Sequence, residues 1–333
     1  MFVLHPQDLG IILTYRCHSR CQHCLYNCGP GWGKEAMSPQ QLRQALEQVL
    51  VWPQTPQVHL TGGEPFLHFP LLLEGTRMAA GLSIPVYVET SGSWCTDEGE
   101  AVERFVALRE AGLQAVLVSC SPFHAERIPP ARTVRAIRAA LHVFGPRRVT
   151  VYLSQFLDLI QQFSAGDLGR PIPLSRYEEE LGPARAAQVL WEGYGLISGG
   201  RAGYRLGHLT ARHPAAAFSR ATCAGELLYA QHSHFDLDGN FIPAFCGGLT
   251  VGSWRDLSRL LDDFQEDRYP PLIAALIEGG PYRLYELARE RYGYESRPEG
   301  YAGKCHLCVD VRRRLAEADD FVELRPREFY HHF

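Results

Sequence analysis

The sequence predicts an α/β protein: an open, TIM-like barrel of parallel strands joined by helices, followed by a smaller α+β domain. Three observations carry this. Between Ile11 and about Ser154, short apolar runs alternate with stretches of helical periodicity, the pattern of parallel strands linked by crossover helices. Glycines at 112 and 145 stand where such helices would end. Beyond about Arg212 the alternation stops, and an Asp238-Gly239 hairpin signal between apolar runs takes over. A partial (β/α)6 barrel over residues 1–205 and a smaller domain over 206–333 follow.

Strands are expected at 11–14, 58–61, 84–90, 115–120 and 149–154. Ser38 and Pro39 read as a helix cap with proline at the first turn, and Leu42, Ala45, Leu46, Val49 and Leu50 follow at helical spacing. Ala101, Val102, Phe105 and Val106 form a second apolar face; Val134, Ile137, Leu141 and Phe144 form a third. Residues 177–190 read as helix, and 194–200 as a last strand with its loop. Such barrels place chemistry at the carboxyl ends of their strands. The polar residues singled out below fall at those ends.

An apolar content of 46% in 333 residues supports a sizeable core, and a net charge of −4 argues against a general nucleic-acid binder. Lys34 and Lys304 are the only lysines, so the basic residues are almost all arginine, which we read as a coding bias. The start of the chain lacks a basic, apolar leader, and no run reaches membrane-spanning length, so a cytoplasmic protein is expected. In that compartment ten cysteines are metal ligands or free thiols before they are disulfides.

Three of them form Cys17-x3-Cys21-x2-Cys24 just past the first strand. Three thiolates on a four-iron cluster leave one iron open to another ligand. A zinc knuckle completed by His18 or His23 uses the same atoms. The segment resembles the radical S-adenosylmethionine (radical SAM) enzymes. That resemblance implies a [4Fe-4S] cluster on Cys17, Cys21 and Cys24, with S-adenosyl-L-methionine on its open iron, cleaved to a 5′-deoxyadenosyl radical. Cys28 would close the cluster, so it is assigned a structural role. His23 stands where the family commonly has an aromatic residue.

Thr61-Gly62-Gly63-Glu64-Pro65, at the second strand end, matches the family's GGEP motif, and the resemblance gives Gly62, Gly63, Glu64 and Pro65 to the methionine amino group. It likewise gives Glu89, Thr90 and Ser91 to the ribose and methionine carboxylate, and Ser119 and Ser121 a similar place. Small polar residues before Pro122 are also ordinary turn residues. His124 could position substrate or exchange a proton; a hydrogen-bonded structural histidine is the other reading. Cys95 and Cys120 read as buried small hydrophobes. Gly29 to Glu35 imitates a phosphate loop but lacks its glycine spacing and the Ser/Thr after Lys34, so it is taken as a loop covering the cluster.

Cys223, Cys246, Cys305 and Cys308 equal a closed metal site in number, with structural zinc as the alternative occupant. Their layout resembles the SPASM extensions of radical enzymes, and in particular the shorter twitch form with one auxiliary [4Fe-4S] cluster. The resemblance implies hydrogen-atom abstraction with oxidation or crosslinking of a peptide substrate, or, as a second reading, dehydrogenation of a small molecule. An electron donor such as flavodoxin or ferredoxin is implied. With sixteen residues ahead of Cys17, a peptide-recognition protein would be a separate partner. A non-catalytic iron–sulfur carrier or zinc-stapled binding protein is the alternative from another class.

Overall fold

The computed structural model describes residues 3–333, which divide into two compact units. One comprises Leu9–Cys21 and Cys28–Tyr194; the other comprises residues 3–8, Gln22–Asn27 and Gly195–Phe333. The reading of the chain's start as no leader begins on residues 1–2, outside those described.

The first unit is the α/β part. Its strands β1 (Asp8–Ile12), β2 (Gln57–Thr61), β3 (Val86–Thr90), β4 (Ala115–Ser119) and β5 (Val149–Tyr152) lie in the order β5-β4-β3-β2-β1. β2 to β5 pair in parallel. Helices α1 (Pro39–Val49), α2 (Phe69–Gly81), α3 (Glu98–Glu110), α4 (Pro122–Ala125), α5 (Pro130–Phe144), α6 (Phe156–Phe163), α7 (Leu174–Leu181) and α8 (Pro183–Ala186) lie between and after them, completing an α/β partial barrel. Residues 58–61 of β2 are buried in succession, as both-faced burial of a parallel strand requires.

Ser38 caps α1 by accepting the Gln41 N–H, while the Gln41 side chain accepts from the Ser38 N–H. The helix buries Leu42, Ala45, Leu46 and Val49 as expected. Leu50 does not join them: it follows the last helical residue and is 45% exposed. In α5 the expected Ile137 and Phe144 are buried, and the inward face is wider than the expected one. Ala136, Ala139, Ala140 and Val143 are buried while Leu141 is exposed, because α5 packs closely on α3 and the close approach selects small side chains.

Two expectations fail after β5. The 177–190 helix is broken at Gly182-Pro183, where proline has no N–H to donate, leaving α7, α8 and a π-helical turn at Ala187–Glu192. No strand forms over 194–200, so among the described residues this unit has five strands. That stretch instead serves the second unit, where Ser198 Oγ accepts the His306 N–H at 3.1 Å.

The second unit holds α9 (Ala202–Arg205), α10 (Ala224–Leu228), the antiparallel strands β6 (His232–Asp236), β7 (Asn240–Pro243) and β8 (Gly252–Ser253), then α11 (Leu257–Gln265), α12 (Pro271–Tyr292) and α13 (Lys304–Ala318). The β6–β7 turn is tied by one carboxylate: Asp236 accepts from the Asp238 N–H, the Asn240 N–H and Asn240 Nδ2 at 3.0, 2.8 and 2.9 Å. α12 breaks at Gly280, whose φ of 59° lies in the left-handed region and is followed by Pro281. Among the described residues no helix is long and apolar enough to cross a membrane.

Replacing Asp236 with Ala would strand two backbone donors in the turn. The expected cost is about 1–3 kcal/mol, read as a lower urea midpoint for loss of the second unit's structure.

Candidate functional site

Beyond β1 the chain enters the cysteine segment, and the end of β2 lies directly against it. The Gly63 N–H donates to Thr14 O at 2.7 Å and the Glu64 N–H to Arg16 O at 3.0 Å. A Cβ at position 63 would sit 2.1 Å from Arg16 O, and one at 62 would sit 2.5 Å from Thr14 O. Two glycines are thus required for β2 to meet the backbone one residue ahead of Cys17. Ser19 then draws two sulfurs together: its N–H donates to Cys17 Sγ at 3.4 Å, and its Oγ lies 3.0 Å from Cys21 Sγ.

Cys24 belongs to the segment grouped with the second unit, where its carbonyl accepts the Arg201 N–H at 3.2 Å. Cys28 is buried beside a backbone bridge in which Gly29 pairs with Tyr15 and Cys17. The glycine-rich loop that follows packs back on the β1 exit. Trp32 stacks on Tyr15 at 4.4 Å, Arg16 Nη1 donates to Trp32 O, and Thr14 Oγ1 donates to Glu35 O.

Glu64 joins this loop to β3. Its carboxylate accepts from Thr90 Oγ1 (2.8 Å), Ser91 Oγ (2.5 Å), the Ser91 N–H (3.1 Å) and the Phe66 N–H (3.3 Å). Burial raises its pKa above the usual carboxylate range, and the four donors offset only part of that rise. Four donors and no acceptor suit the ionised form. Thr90 Oγ1 in turn accepts from Trp94 Nε1 and the Gly92 N–H, so the Thr90 hydroxyl is committed to the framework. The Trp94 ring stacks on Phe66 at 4.0 Å, directly after Pro65. Of the three residues assigned at this strand end, Glu89 keeps its carboxylate partly open. Thr61 Oγ1 reaches it at 3.4 Å and His59 Nε2 lies 3.9 Å away. His18 meets Ser93 Oγ at 3.2 Å, and burial followed by the charges of Arg132 and Arg16 lowers its pKa.

Ser119 ends β4. Ser121 Oγ lies 2.8 Å from His124 Nδ1, and burial drops His124 to about 4, so the ring is neutral at pH 7. It is held as a hydrogen-bonded partner of Ser121 within α4. Burial raises the Cys120 thiol to about 12 and Cys95 to about 11, so neither is a thiolate.

The four later cysteines converge. Every pair among Cys223, Cys246, Cys305 and Cys308 lies close enough for its charges to interact. The Cys223 N–H donates to Leu276 O at 3.0 Å, the carbonyl one turn before the α12 break. A Cβ on Gly280 would stand 2.0 Å from Ala221 O, so the break admits the segment that carries Cys223. Cys305 and Cys308 lie in the first turns of α13, and burial with the neighbouring Cys308 raises Cys305 to about 12. Beneath them lies Arg312, 2% exposed, donating to Gly247 O and Tyr330 Oη and facing Cys308 and Cys246. Arg312 Nε has no hydrogen-bond partner among the described residues. A buried cation is stable only beside negative charge. Four thiols near one another, with this cation beside them, suit an anionic metal–thiolate centre.

Sequence reasoning missed Ser19, Trp94, Ser198 and Arg312. Ser19, between two cysteines of the motif, carried a signal. Trp94 donates to Thr90 only four residues away but packs on Phe66 far from it in sequence, and Ser198 and Arg312 act across long separations that no local pattern marks.

Residues 11–153 match the family model for the Radical SAM superfamily. A GTP 3′,8-cyclase of Corynebacterium glutamicum (strain R) is 30% identical over 128 residues, 36% of this chain and 32% of the relative. One of Mycobacterium marinum is 34% identical over 114 residues, 34% of this chain and 30% of the relative. The chain thus spans about a third of the length of the curated relatives it matches. Among solved structures, BtrN in complex with AdoMet and 2-DOIA aligns at 14% identity and a TM-score of 0.43, covering 84% of this chain and 90% of BtrN. Native anSMEcpe with bound AdoMet aligns at 14% and 0.42, covering 94% and 96%.

Gly63→Ala is expected to lower stability by about 1–3 kcal/mol in thermal melts, since the added methyl meets backbone that cannot swing away. Arg312→Met should leave Cys223, Cys246, Cys305 and Cys308 in place yet reduce the iron retained there after reconstitution. Iron analysis in a background lacking Cys17, Cys21 and Cys24 would show it.

Proposed function

We propose that this chain, which carries a radical SAM superfamily domain over residues 11–153, is an enzyme that reductively cleaves S-adenosyl-L-methionine and removes a hydrogen atom from its substrate. The observation that carries the reading is the seating of Gly62-Gly63-Glu64 on Thr14 to Arg16, which brings the GGEP motif to the cysteine motif. Cys17, Cys21 and Cys24 would hold the first [4Fe-4S] cluster, and Cys223, Cys246, Cys305 and Cys308 the second. When bound, the first cluster with S-adenosylmethionine supplies a 5′-deoxyadenosyl radical, and the second offers an acceptor for the electron of an oxidised product.

The chain's own residues bind and orient. Backbone at Gly62 and Gly63 lines the loop, and Glu64 is held rigid by Thr90 and Ser91, so its contribution is a fixed negative charge. Glu89 presents the adjustable carboxylate. Ser119 and Ser121 lie at the β4 end, with Ser121 oriented by His124. Arg312 places positive charge under the second thiol set and favours a more reduced centre there.

A peptide is the proposed substrate, on the layout of the auxiliary cysteines, with a flavodoxin or ferredoxin as electron donor. A small molecule is the second reading, favoured by the similarity of the barrel part to GTP 3′,8-cyclases.

After anaerobic reconstitution and reduction with dithionite, the protein should convert S-adenosylmethionine to 5′-deoxyadenosine, measured by mass spectrometry. Cys21→Ala should abolish the product, and Cys28→Ala should retain it. Cleavage that survives Cys21→Ala, or neither cleavage nor cofactor binding by the fully loaded protein, would overturn the assignment.

A further inference from the structure

We propose that His232 and His234, which belong to neither cysteine set, form a binding site for a divalent transition metal such as zinc. They occupy alternate positions of β6, so their rings share one face of the strand. Their Nε2 atoms lie 3.3 Å apart. Two nitrogens at about 2.0–2.1 Å from one ion, at a tetrahedral angle, stand about 3.3–3.4 Å apart.

The outer nitrogens are supported as metal-bound histidines usually are. Asp8 Oδ1 lies 3.6 Å from His232 Nδ1, an ion-pair distance. Tyr26 Oη lies 2.9 Å from His234 Nδ1, and also 3.4 Å from its Nε2 and 3.5 Å from Ala244 O. The two Nε2 atoms stand at hydrogen-bond distance, and with hydrogens on both Nδ1 atoms, facing Asp8 and Tyr26, both Nε2 atoms become acceptors that one cation can bridge.

The scaffold is rigid. Ser233, on the opposite face, takes the Ala244 N–H on its Oγ, and the His234↔Ile242 register fixes the strand. The His232 ring stacks on Phe245 at 4.9 Å. His234 is buried while the His232 side chain is 25% exposed, so an ion has a route in.

The test uses the full chain with both cysteine sites loaded with iron and sulfide. It is incubated with excess zinc chloride, desalted, and assayed by mass spectrometry for zinc and iron. The expected result is about one zinc per chain, bound at least about tenfold more weakly in His232→Gln and His234→Gln and about 10–100-fold more weakly in Asp8→Asn. Unchanged iron content and circular dichroism show that the variants fold. Should they not, the zinc-edge absorption spectrum of the unaltered protein decides. Nitrogen or oxygen neighbours at about 2.0–2.1 Å support the site, and sulfur at about 2.3 Å overturns it. Zinc that is not retained, or is retained equally by folded variants, also overturns it.

Discussion

The backbone contact between Gly62-Gly63 and Thr14 to Arg16 is the constraint on which the candidate site depends. It brings the end of β2 against the segment that carries the first cysteines, at a separation no side chain at 63 allows. Glu64 extends the constraint to β3 by accepting from Thr90 and Ser91. Trp94 then seals the underside by donating to Thr90 and stacking on Phe66. Three strand ends are therefore positioned by one continuous set of hydrogen bonds. Each bond is short-range, yet together they join segments more than 70 residues apart in the chain.

Much of this was legible because local chemistry wrote it. The cap at Ser38, the alternating strands and helices, and the Asp238-Gly239 turn each depend on residues within a few positions of one another. The expected face of α5 was right at Ile137 and Phe144 and wrong at Leu141, and the close packing on α3 added alanines that a pattern of large apolar residues does not mark. The strand expected near 194 failed for a tertiary reason. An apolar stretch reads as strand in isolation, but Ser198 supplies an acceptor to the start of α13. Within the site, the cysteines and glycines announced themselves by spacing. The commitment of Thr90 and Ser91 to Glu64 could not be seen, since a hydroxyl that holds a neighbour and one that meets a ligand are the same letter.

The second unit shows how a helix break can bring distant cysteines together. An unbroken α12 would close the space beside Gly280 that the Ala221–Thr222 backbone occupies, and the Leu276 carbonyl would have less reason to face Cys223. Gly280 and Pro281 sacrifice helical regularity in the interior of a 22-residue helix. In exchange the chain bearing Cys223 reaches Cys246, Cys305 and Cys308, which come from a hairpin and another helix.

Arg312 carries a consequence for how the molecule matures. Its guanidinium is sealed beneath thiols whose protonated forms carry no charge, so before metal arrives the cation has little to balance it. A soft metal bound there would make the sulfurs anionic and give the Arg312 cation its counter-charge. Retention of such a metal and the packing of α13 around Arg312 would then depend on each other.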